Sequence, residues 1–173
     1  MRRWLLFVHR WLGLGTSLIL AVVGTTGTIM VWPGNSVAHR MAGSLHVSLA
    51  MGRPGRFIVI IVTGLAVVLQ ITGVWLWWKR RVFRVRLDAG WRQTVTDLHH
   101  TIGALGFVLM LLLAASAVGR AVVKDPDVRP LISRLHTAQG FPLPVRIFYA
   151  AASMGFLLQG VTGLTMWWPA KRR

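Results

Sequence analysis

The feature that most constrains this chain is a set of four long apolar runs that contain no charged side chain. The runs cover residues 11–32, 57–78, 101–119 and 147–168 of the 173-residue sequence. A helix rises about 1.5 Å per residue, so roughly 20 residues are needed to cross a hydrocarbon core of about 30 Å. Each run reaches about that length. The sequence therefore predicts an all-α membrane protein with four transmembrane helices.

An internal repeat with an offset of 90 residues is the second feature. The landmarks that share this offset are His9 and His99, His46 and His136, Arg56 and Arg146, Thr72-Gly73 and Thr162-Gly163, and Trp77-Trp78 and Trp167-Trp168. A constant offset over this length indicates a tandem duplication of a two-helix unit. We expect one membrane domain, with a first repeat at 1–81, a cytoplasmic linker at 82–96 and a second repeat at 97–173. Thr96 or Asp97 is the expected N-cap of the third span.

The segments between paired spans are short. Residues 36–50 and 130–139 are moderately apolar, and each contains histidine. We expect each to form a short interfacial helix in an outer loop. Pro33-Gly34-Asn35 is expected to end the first span. That span should begin near Arg3 and stay uncleaved, because its apolar stretch is longer than the core of a secretory signal.

The net charge of +16 comes from 20 basic and four acidic residues. The basic residues flank the apolar runs and form no patch interleaved with aromatic residues, so the pattern favours lipid headgroups over nucleic acid. The N-terminus, residues 79–92 and residues 171–173 hold most of the charge. The positive-inside rule therefore places both termini and the linker in the cytoplasm. The absence of cysteine excludes disulfides, iron–sulfur clusters and thiolate metal sites.

Four of the six histidines form two matched pairs in the repeat. Ionisable groups within a membrane are costly and mark functional sites. A pseudo-two-fold axis along the membrane normal brings His9 toward His99 on the inner side and His46 toward His136 on the outer side. Facing imidazoles without cysteine suit axial ligation of haem iron inside a helical bundle. We therefore interpret these four histidines as cofactor-binding and metal-ligating residues, with no catalytic acid or base required.

The surroundings of the histidines support a flat cofactor. Small residues follow each histidine by four positions, and on a helix they would share its face: Gly13, Ala50, Gly103 and Gly140. Nearby arginines are candidates for pairing with haem propionates: Arg10, Arg56, Arg92 and Arg146. The remaining histidines, His39 and His100, align with arginines and are expected to anchor or pack. Intramembrane Thr72, Thr162, Gln70 and Gln159 are expected to form interhelical hydrogen bonds.

Other chemistries fit less well. A zinc site normally requires more converging ligands than one histidine pair. A proton-coupled transporter is expected to bury an acidic residue, whereas we expect all four aspartates to lie outside the spans. Two alternatives stay open: a non-redox accessory or structural subunit whose histidines only pack, and a component of a metal or siderophore transporter.

Several segments resemble one known family. HRWLGLGTSLILAVVGTTG at residues 9–27, SLHVSLAMGRPGRF at 44–57, DLHHTIGALG at 97–106, TGVWLWW at 72–78 and TGLTMWW at 162–168 are similar to PepSY-associated transmembrane proteins. That family includes iron-regulated inner-membrane proteins and ferric-siderophore reductases of bacteria. Larger members carry a periplasmic PepSY domain between their spans. The outer loops here are too short for one, so the chain resembles the membrane core alone.

The resemblance implies a multi-pass protein of the bacterial inner membrane that carries b-type haems on His9, His46, His99 and His136. It implies electron transfer from quinol or a cytoplasmic donor to a periplasmic acceptor, either ferric iron or a ferric siderophore. Our hypothesis from the sequence is thus a di-haem b-type cytochrome surrounded by the lipid bilayer, with ferric reductase activity as the candidate enzymatic role. The donor, the acceptor, the haem number and homo-oligomerisation stay open.

Overall fold

The computed structural model describes residues 2–78 and 83–167, which form six α-helices. The helices are α1 (Arg2–Met30), α2 (Val37–Ser48), α3 (Gly52–Trp78), α4 (Trp91–Val122), α5 (Arg129–Thr137) and α6 (Leu143–Trp167). Predictions that concern residues 79–82 and 168–173 lie outside the described residues. These include the two basic clusters, the start of the linker and the second tryptophan of the last repeated motif.

Four helices, α1, α3, α4 and α6, are long and apolar enough to cross a membrane. This confirms the predicted all-α fold with four spans. Large apolar side chains on their outer surfaces are open to the surroundings: Leu18, Leu105 and Val108 are at least 70% exposed. Apolar exposure of this extent around a bundle is stable in lipid and costly in water.

The four long helices form a closed ring. α1 packs on α3 and α6, and α4 packs on the same two helices. The beginnings of α1 and α4 lie at the same end of the bundle as the ends of α3 and α6, because residues from all four segments line one cavity there. α1 and α4 therefore run in one direction, and α3 and α6 run in the opposite direction.

Small residues allow α1 and α6 to approach each other closely. A Cβ atom at Gly24 would lie 2.6 Å from the Ser153 carbonyl oxygen, and one at Gly160 would lie 2.9 Å from the Ser17 carbonyl oxygen. Both distances are too short for any other residue, so the helix backbones themselves are in contact. Close packing of this kind takes the place of a hydrophobic driving force between helices in lipid.

The two segments that were predicted to form short helices, residues 36–50 and 130–139, are helical. The Ser36 hydroxyl caps α2 by accepting a hydrogen bond from the His39 backbone N–H at 3.2 Å. α2 packs against α1 and α3, whereas α5 packs against α4. Both helices end in the left-handed conformation, at Leu49 (φ 51°) and Ala138 (φ 55°). Their expected position at the membrane interface stays a prediction.

The start of α4 differs from the prediction. The helix begins at Trp91 after Gly90, whose φ of 79° suits glycine. Neither predicted residue is therefore the N-cap, and residues 91–96 belong to the helix and not to the linker. Asp97 lies inside this spanning helix and is 4% exposed, so the expectation that every aspartate lies outside the spans is wrong. Its carboxylate accepts hydrogen bonds from Arg86 Nε at 2.9 Å and from Gln93 Nε2 at 2.7 Å, which compensates the burial.

Candidate functional site

Two histidines from different helices face each other near the beginning of α1. His9 lies on α1 and His99 on α4, and their imidazole ring centres are 6.4 Å apart with ring planes at 83°. Both residues lie in the second or third turn of their helices. The structure thus brings together the first pair of histidines that the repeat singled out.

Each of these imidazoles is oriented by a threonine on the neighbouring helix. His9 Nδ1 lies 2.9 Å from Thr72 Oγ1, and His99 Nδ1 lies 2.8 Å from Thr162 Oγ1. Both threonine hydroxyls already donate their hydrogen to the carbonyl oxygen four residues earlier, at 2.8 Å and 2.6 Å. The hydroxyl oxygens must therefore accept from Nδ1–H. This network assigns the Nδ1–H tautomer and leaves each Nε2 lone pair available.

The second pair lies toward the other end of the bundle. His46 on α2 and His136 on α5 have ring centres 6.0 Å apart. His46 Nδ1–H donates to the Val23 carbonyl oxygen at 2.9 Å, and His136 Nδ1–H donates to the Leu113 carbonyl oxygen at 3.1 Å. A carbonyl oxygen can only accept, so these imidazoles have the same tautomer and the same available Nε2 atom.

Burial keeps the second pair neutral. It lowers the pKa of His46, and a nearby Arg120 guanidinium lowers it further. Burial, together with the charges of His46 and Arg120, lowers the pKa of His136 to about 4. Neutral imidazole is the form that binds metals, so both side chains can act as ligands without first losing a proton.

Each pair opens into a cavity in the middle of the bundle. The first cavity, of about 610 Å³, is lined by all four long helices and contains the His9–His99 pair. Glycines border it: a Cβ at Gly73 would lie 3.2 Å from His9 Cε1, and one at Gly163 would lie 3.6 Å from His99 Cε1. Any larger residue at these positions would fill space beside the imidazoles.

The second cavity, of about 400 Å³, contains the His46–His136 pair. It is lined by residues of all six helices, and three arginines lie along it: Arg56, Arg120 and Arg129. Leu20, Ala66 and Phe156 line both cavities. The two cavities therefore share an apolar wall.

The spacing of the imidazoles suits one metal ion between each pair. Two imidazoles that bind a metal from opposite sides, with metal–nitrogen bonds of about 2.0–2.1 Å, have ring centres about 6.3 Å apart. The observed spacings of 6.4 Å and 6.0 Å lie close to that value. In residues 2–78 and 83–167, no group of three or more histidine or acidic side chains is placed to hold a metal ion. Two protein ligands per site are thus the available set.

Comparison with protein families gives one match. A family described as the PepSY-associated TM region matches residues 34–126, more than half of the chain. The chain belongs to this PepSY-associated transmembrane family. Comparisons with curated proteins and with solved structures give no match. Family membership and the four apolar helices together show a multi-pass membrane protein.

Within this PepSY-associated protein, part of the predicted surroundings of the histidines is wrong. Gly13 and Gly103 line the first cavity, but Ala50 and Gly140 lie beyond the ends of α2 and α5. Both have positive φ, 58° and 76°, and form turns where no helix face is shared. Arg146 borders neither cavity. It donates to the Val31 carbonyl oxygen at 2.8 Å.

Three of the arginines that were proposed as partners of haem propionates do line a cavity. Arg10 and Arg92 line the first cavity, and Arg56 lines the second. Arg120 and Arg129 were not predicted as site residues, because they lie at ends of α4 and α5 and only the fold brings them to the second cavity. For Thr72 and Thr162 only generic hydrogen bonding was predicted. The sequence does contain a signal for these contacts, because each threonine follows its histidine by the same 63 residues.

The other two histidines behave differently from each other. His100 lines the first cavity beside His99, with ring centres 6.3 Å apart. His39 lies near the start of α2 and borders neither cavity. His39 and His46 thus share one helix, and only His46 faces another imidazole. The pair offers a matched comparison for experiments on ligation.

Proposed function

We propose that this PepSY-associated protein is a di-haem b-type membrane cytochrome that passes electrons across the bacterial inner membrane. One observation carries the proposal. All four paired imidazoles donate Nδ1–H to a fixed acceptor, so each keeps its Nε2 lone pair available, and the ring centres of each pair lie at about the spacing that one metal requires. A histidine that serves only as a membrane anchor has no need of such an arrangement.

Haem fits the donor set. The two members of each histidine pair would hold the haem iron together, and the macrocycle would supply the remaining nitrogen ligands. Cavities of about 610 and 400 Å³ lie in the range of roughly 300–1,000 Å³ that small ligands and cofactors use. Arg10 and Arg92 would meet the carboxylates of a haem on His9 and His99.

When bound, haem supplies reversible one-electron chemistry at its iron. The chain's own residues supply ligation and surroundings. Thr72 and Thr162 fix the ring orientation of the first pair, and the hydrogen bonds that they accept raise the basicity of the imidazoles. Backbone carbonyls do the same for the second pair. Leu20, Ala66 and Phe156 form an apolar wall between the two cavities.

The charge distribution suggests the direction of transfer. The basic N-terminus lies at the end of the bundle that holds the first cavity, and basic segments favour the cytoplasmic side. The first cavity would then receive electrons from quinol or a cytoplasmic donor. The second would deliver them to a ferric acceptor in the periplasm.

A dithionite-reduced minus oxidised absorption spectrum of the purified protein tests the proposal. We expect a b-type spectrum, and a pyridine haemochrome assay should count two haems per chain. His99→Ala should remove the first haem and His46→Ala the second. The matched control His39→Ala should retain both, because it lies on the same helix as His46 but outside the cavities.

The opposite results are equally clear. A colourless wild-type protein, expressed with ample haem, would reject the cytochrome and favour an accessory subunit. Two haems retained in His99→Ala but lost in His100→Ala would reject the assigned pairing. A transporter is less well supported, since no aspartate or glutamate lines either cavity within the described residues.

A further inference from the structure

The segment between α3 and α4 exposes three large apolar side chains. Phe83 is 58% exposed, Leu87 is 81% exposed and Trp91, at the start of α4, is 57% exposed. All three lie outside the uncharged runs at 57–78 and 101–119. Exposed apolar side chains that cluster outside the spans mark a surface that contacts another molecule. We refer to Phe83, Leu87 and Trp91 as the apolar linker group.

Hydrogen bonds fix this segment against α4. The Arg86 backbone N–H and Nε donate to Asp97 Oδ2 at 3.2 Å and 2.9 Å, and Arg86 Nη2 donates to Asp97 Oδ1 at 3.1 Å. The Thr94 hydroxyl donates to the Arg86 carbonyl oxygen at 2.7 Å. Bidentate pairing of a guanidinium with a carboxylate is both strong and geometrically specific. The apolar linker group therefore belongs to a segment with a defined conformation.

The same contacts place the segment level with the ends of the spans. Asp97 precedes the uncharged run that begins at Thr101 by four residues, which is about 6 Å along a helix. Phe83 packs against Trp77 in the last turn of α3, with ring centres 4.8 Å apart. Tryptophans near the ends of spans lie at the level of the lipid headgroups. The segment thus folds back toward the bilayer instead of extending away from it.

Basic residues accompany the apolar linker group. Residues 79–92 contain six basic residues and one acidic residue, Asp88. Arg86 is neutralised by Asp97, whereas Arg84 is exposed and forms no ion pair within residues 2–78 and 83–167. Apolar side chains beside uncompensated basic ones are the combination that binds the boundary between headgroups and acyl chains in an anionic leaflet.

We propose that the apolar linker group docks on an anionic lipid leaflet, with its side chains at the acyl boundary and Arg84 beside the lipid phosphates. A lipid surface accounts for more than a soluble anion does, because free phosphate would satisfy Arg84 and leave Leu87 in water. Phe83 also packs on Trp77, which lines the first cavity. A docked linker would therefore hold that wall of the cavity at a fixed depth in the membrane. The inference does not require a bound cofactor.

Thiol accessibility tests the docking. The chain has no cysteine, so a single introduced thiol reports on one position. Leu87→Cys and the adjacent control Asp88→Cys, both at exposed positions, are placed in nanodiscs of mixed phosphatidylglycerol and phosphatidylcholine, which leave both membrane faces accessible. Their rates of reaction with a hydrophilic polyethylene glycol maleimide are measured by gel shift. We expect Leu87→Cys to react at least about tenfold more slowly, because apolar surroundings suppress the thiolate.

Two variants of Arg84 test the contribution of charge. In the Leu87→Cys background, Arg84→Gln should raise the labelling rate about fivefold in the mixed nanodiscs, the change that a loss of about 1 kcal/mol in docking free energy produces. Arg84→Lys keeps the charge and should leave the rate within about twofold. In nanodiscs of phosphatidylcholine alone, Arg84→Gln should also change the rate by less than about twofold, because the surface carries no net charge.

Several outcomes overturn the proposal. Equal labelling rates at positions 87 and 88 would mean that Leu87 faces water. Slow labelling at position 87 that Arg84→Gln leaves unchanged in the mixed nanodiscs would refute the role of anionic lipid. Disulfide-linked dimers of Leu87→Cys after mild oxidation would show that a second copy of the chain, and not lipid, covers the segment. Haem content is recorded beside each rate, so a haem-free chain that still protects Leu87→Cys would refute the cytochrome and support the docking.

Discussion

The sharpest test of the first site concerns the hydrogen bond behind His99. Thr162→Val keeps the shape of the side chain but removes the hydroxyl oxygen that lies 2.8 Å from His99 Nδ1. The imidazole N–H then has no acceptor in an apolar cavity. We expect haem to bind more weakly at this site, while the helix stays intact because the backbone ladder does not depend on the hydroxyl.

The size of the effect follows from that loss. In the haem-free protein the imidazole can turn to another partner, whereas haem ligation would fix its Nδ1–H without an acceptor, and this penalty of about 1–3 kcal/mol falls on the bound state. At about 1.4 kcal/mol per tenfold change, haem affinity should fall about 5- to 150-fold. Substitutions of residues that hydrogen-bond to metal-binding histidines typically lower metal affinity or activity by about 10- to 100-fold, which agrees with this range. Thr162→Ser keeps the oxygen and should stay within about threefold of wild type.

The second site provides an internal control. Thr26 Oγ1 is 3.3 Å from His46 Nδ1, but the Val23 carbonyl oxygen is closer, at 2.9 Å, and survives any side-chain substitution. Thr26→Val should therefore change haem affinity by less than about threefold. Transfer of haem to excess apomyoglobin, followed by absorbance, measures each variant. Equal haem loss from Thr162→Val and Thr26→Val, or none from either, would refute the reasoning.

Three further predictions follow from packing and charge. Gly73→Ala should reduce haem at the first site more than Gly163→Ala. The Cβ added at Gly73 would lie 3.2 Å from His9 Cε1, whereas the Cβ added at Gly163 would lie 3.6 Å from His99 Cε1. Haem counts per chain measure the difference. Gly160→Ala places a Cβ 2.9 Å from a backbone carbonyl oxygen of α1 and should destabilise the bundle by about 1–3 kcal/mol in detergent unfolding. The haem-free protein should lose stability as the pH falls from 6.5 toward about 4. His136 binds a proton at its usual pKa in the unfolded chain, whereas burial lowers its pKa to about 4 in the folded protein. His136→Gln should weaken this pH dependence of stability.

Each of these has a matched control. Gly15→Ala adds a Cβ with no neighbouring atom within 4 Å, so it should not destabilise the protein, and the higher helix propensity of alanine should stabilise it slightly. His39→Gln lies outside both cavities and should leave the acid sensitivity unchanged. A Gly15→Ala variant as unstable as Gly160→Ala would mean that the α1–α6 contact does not explain the loss.

The fold was predictable because membrane spans leave a simple signal. Uncharged runs of about 20 residues gave four helices, and prolines and glycines gave the short connections. The beginning of α4 was not predictable in the same way. Thr96 or Asp97 was expected to cap the helix, but the helix begins at Trp91, and Arg86 folds back and pairs with Asp97 at 2.9 Å. A contact between a loop and a helix cannot be read from hydropathy.

The histidine pairs were predictable from an offset alone, whereas their surroundings were only partly so. His9 and His99 come together because each lies near the beginning of its helix, and α1 and α4 begin at the same end of the bundle. Gly140 was misplaced because the four-residue spacing holds only while a helix continues, and α5 ends at Thr137. Arg120 and Arg129 were missed because nothing in the sequence places two helix ends beside one cavity.

Two parts of the molecule differ in whether their residues follow the 90-residue offset. Contacts that orient the histidines recur at equivalent positions: Thr72 and Thr162 serve the first pair, and the Val23 and Leu113 carbonyls serve the second. Both sets lie in the long helices, where a small shift would misplace an imidazole. The arginines at the second cavity break the offset, since Arg120 and Arg129 align with Met30 and His39. They lie at helix ends, which can change without disturbing the imidazoles. The repeat is thus retained where the imidazoles are oriented and is not retained at the helix ends that line the second cavity.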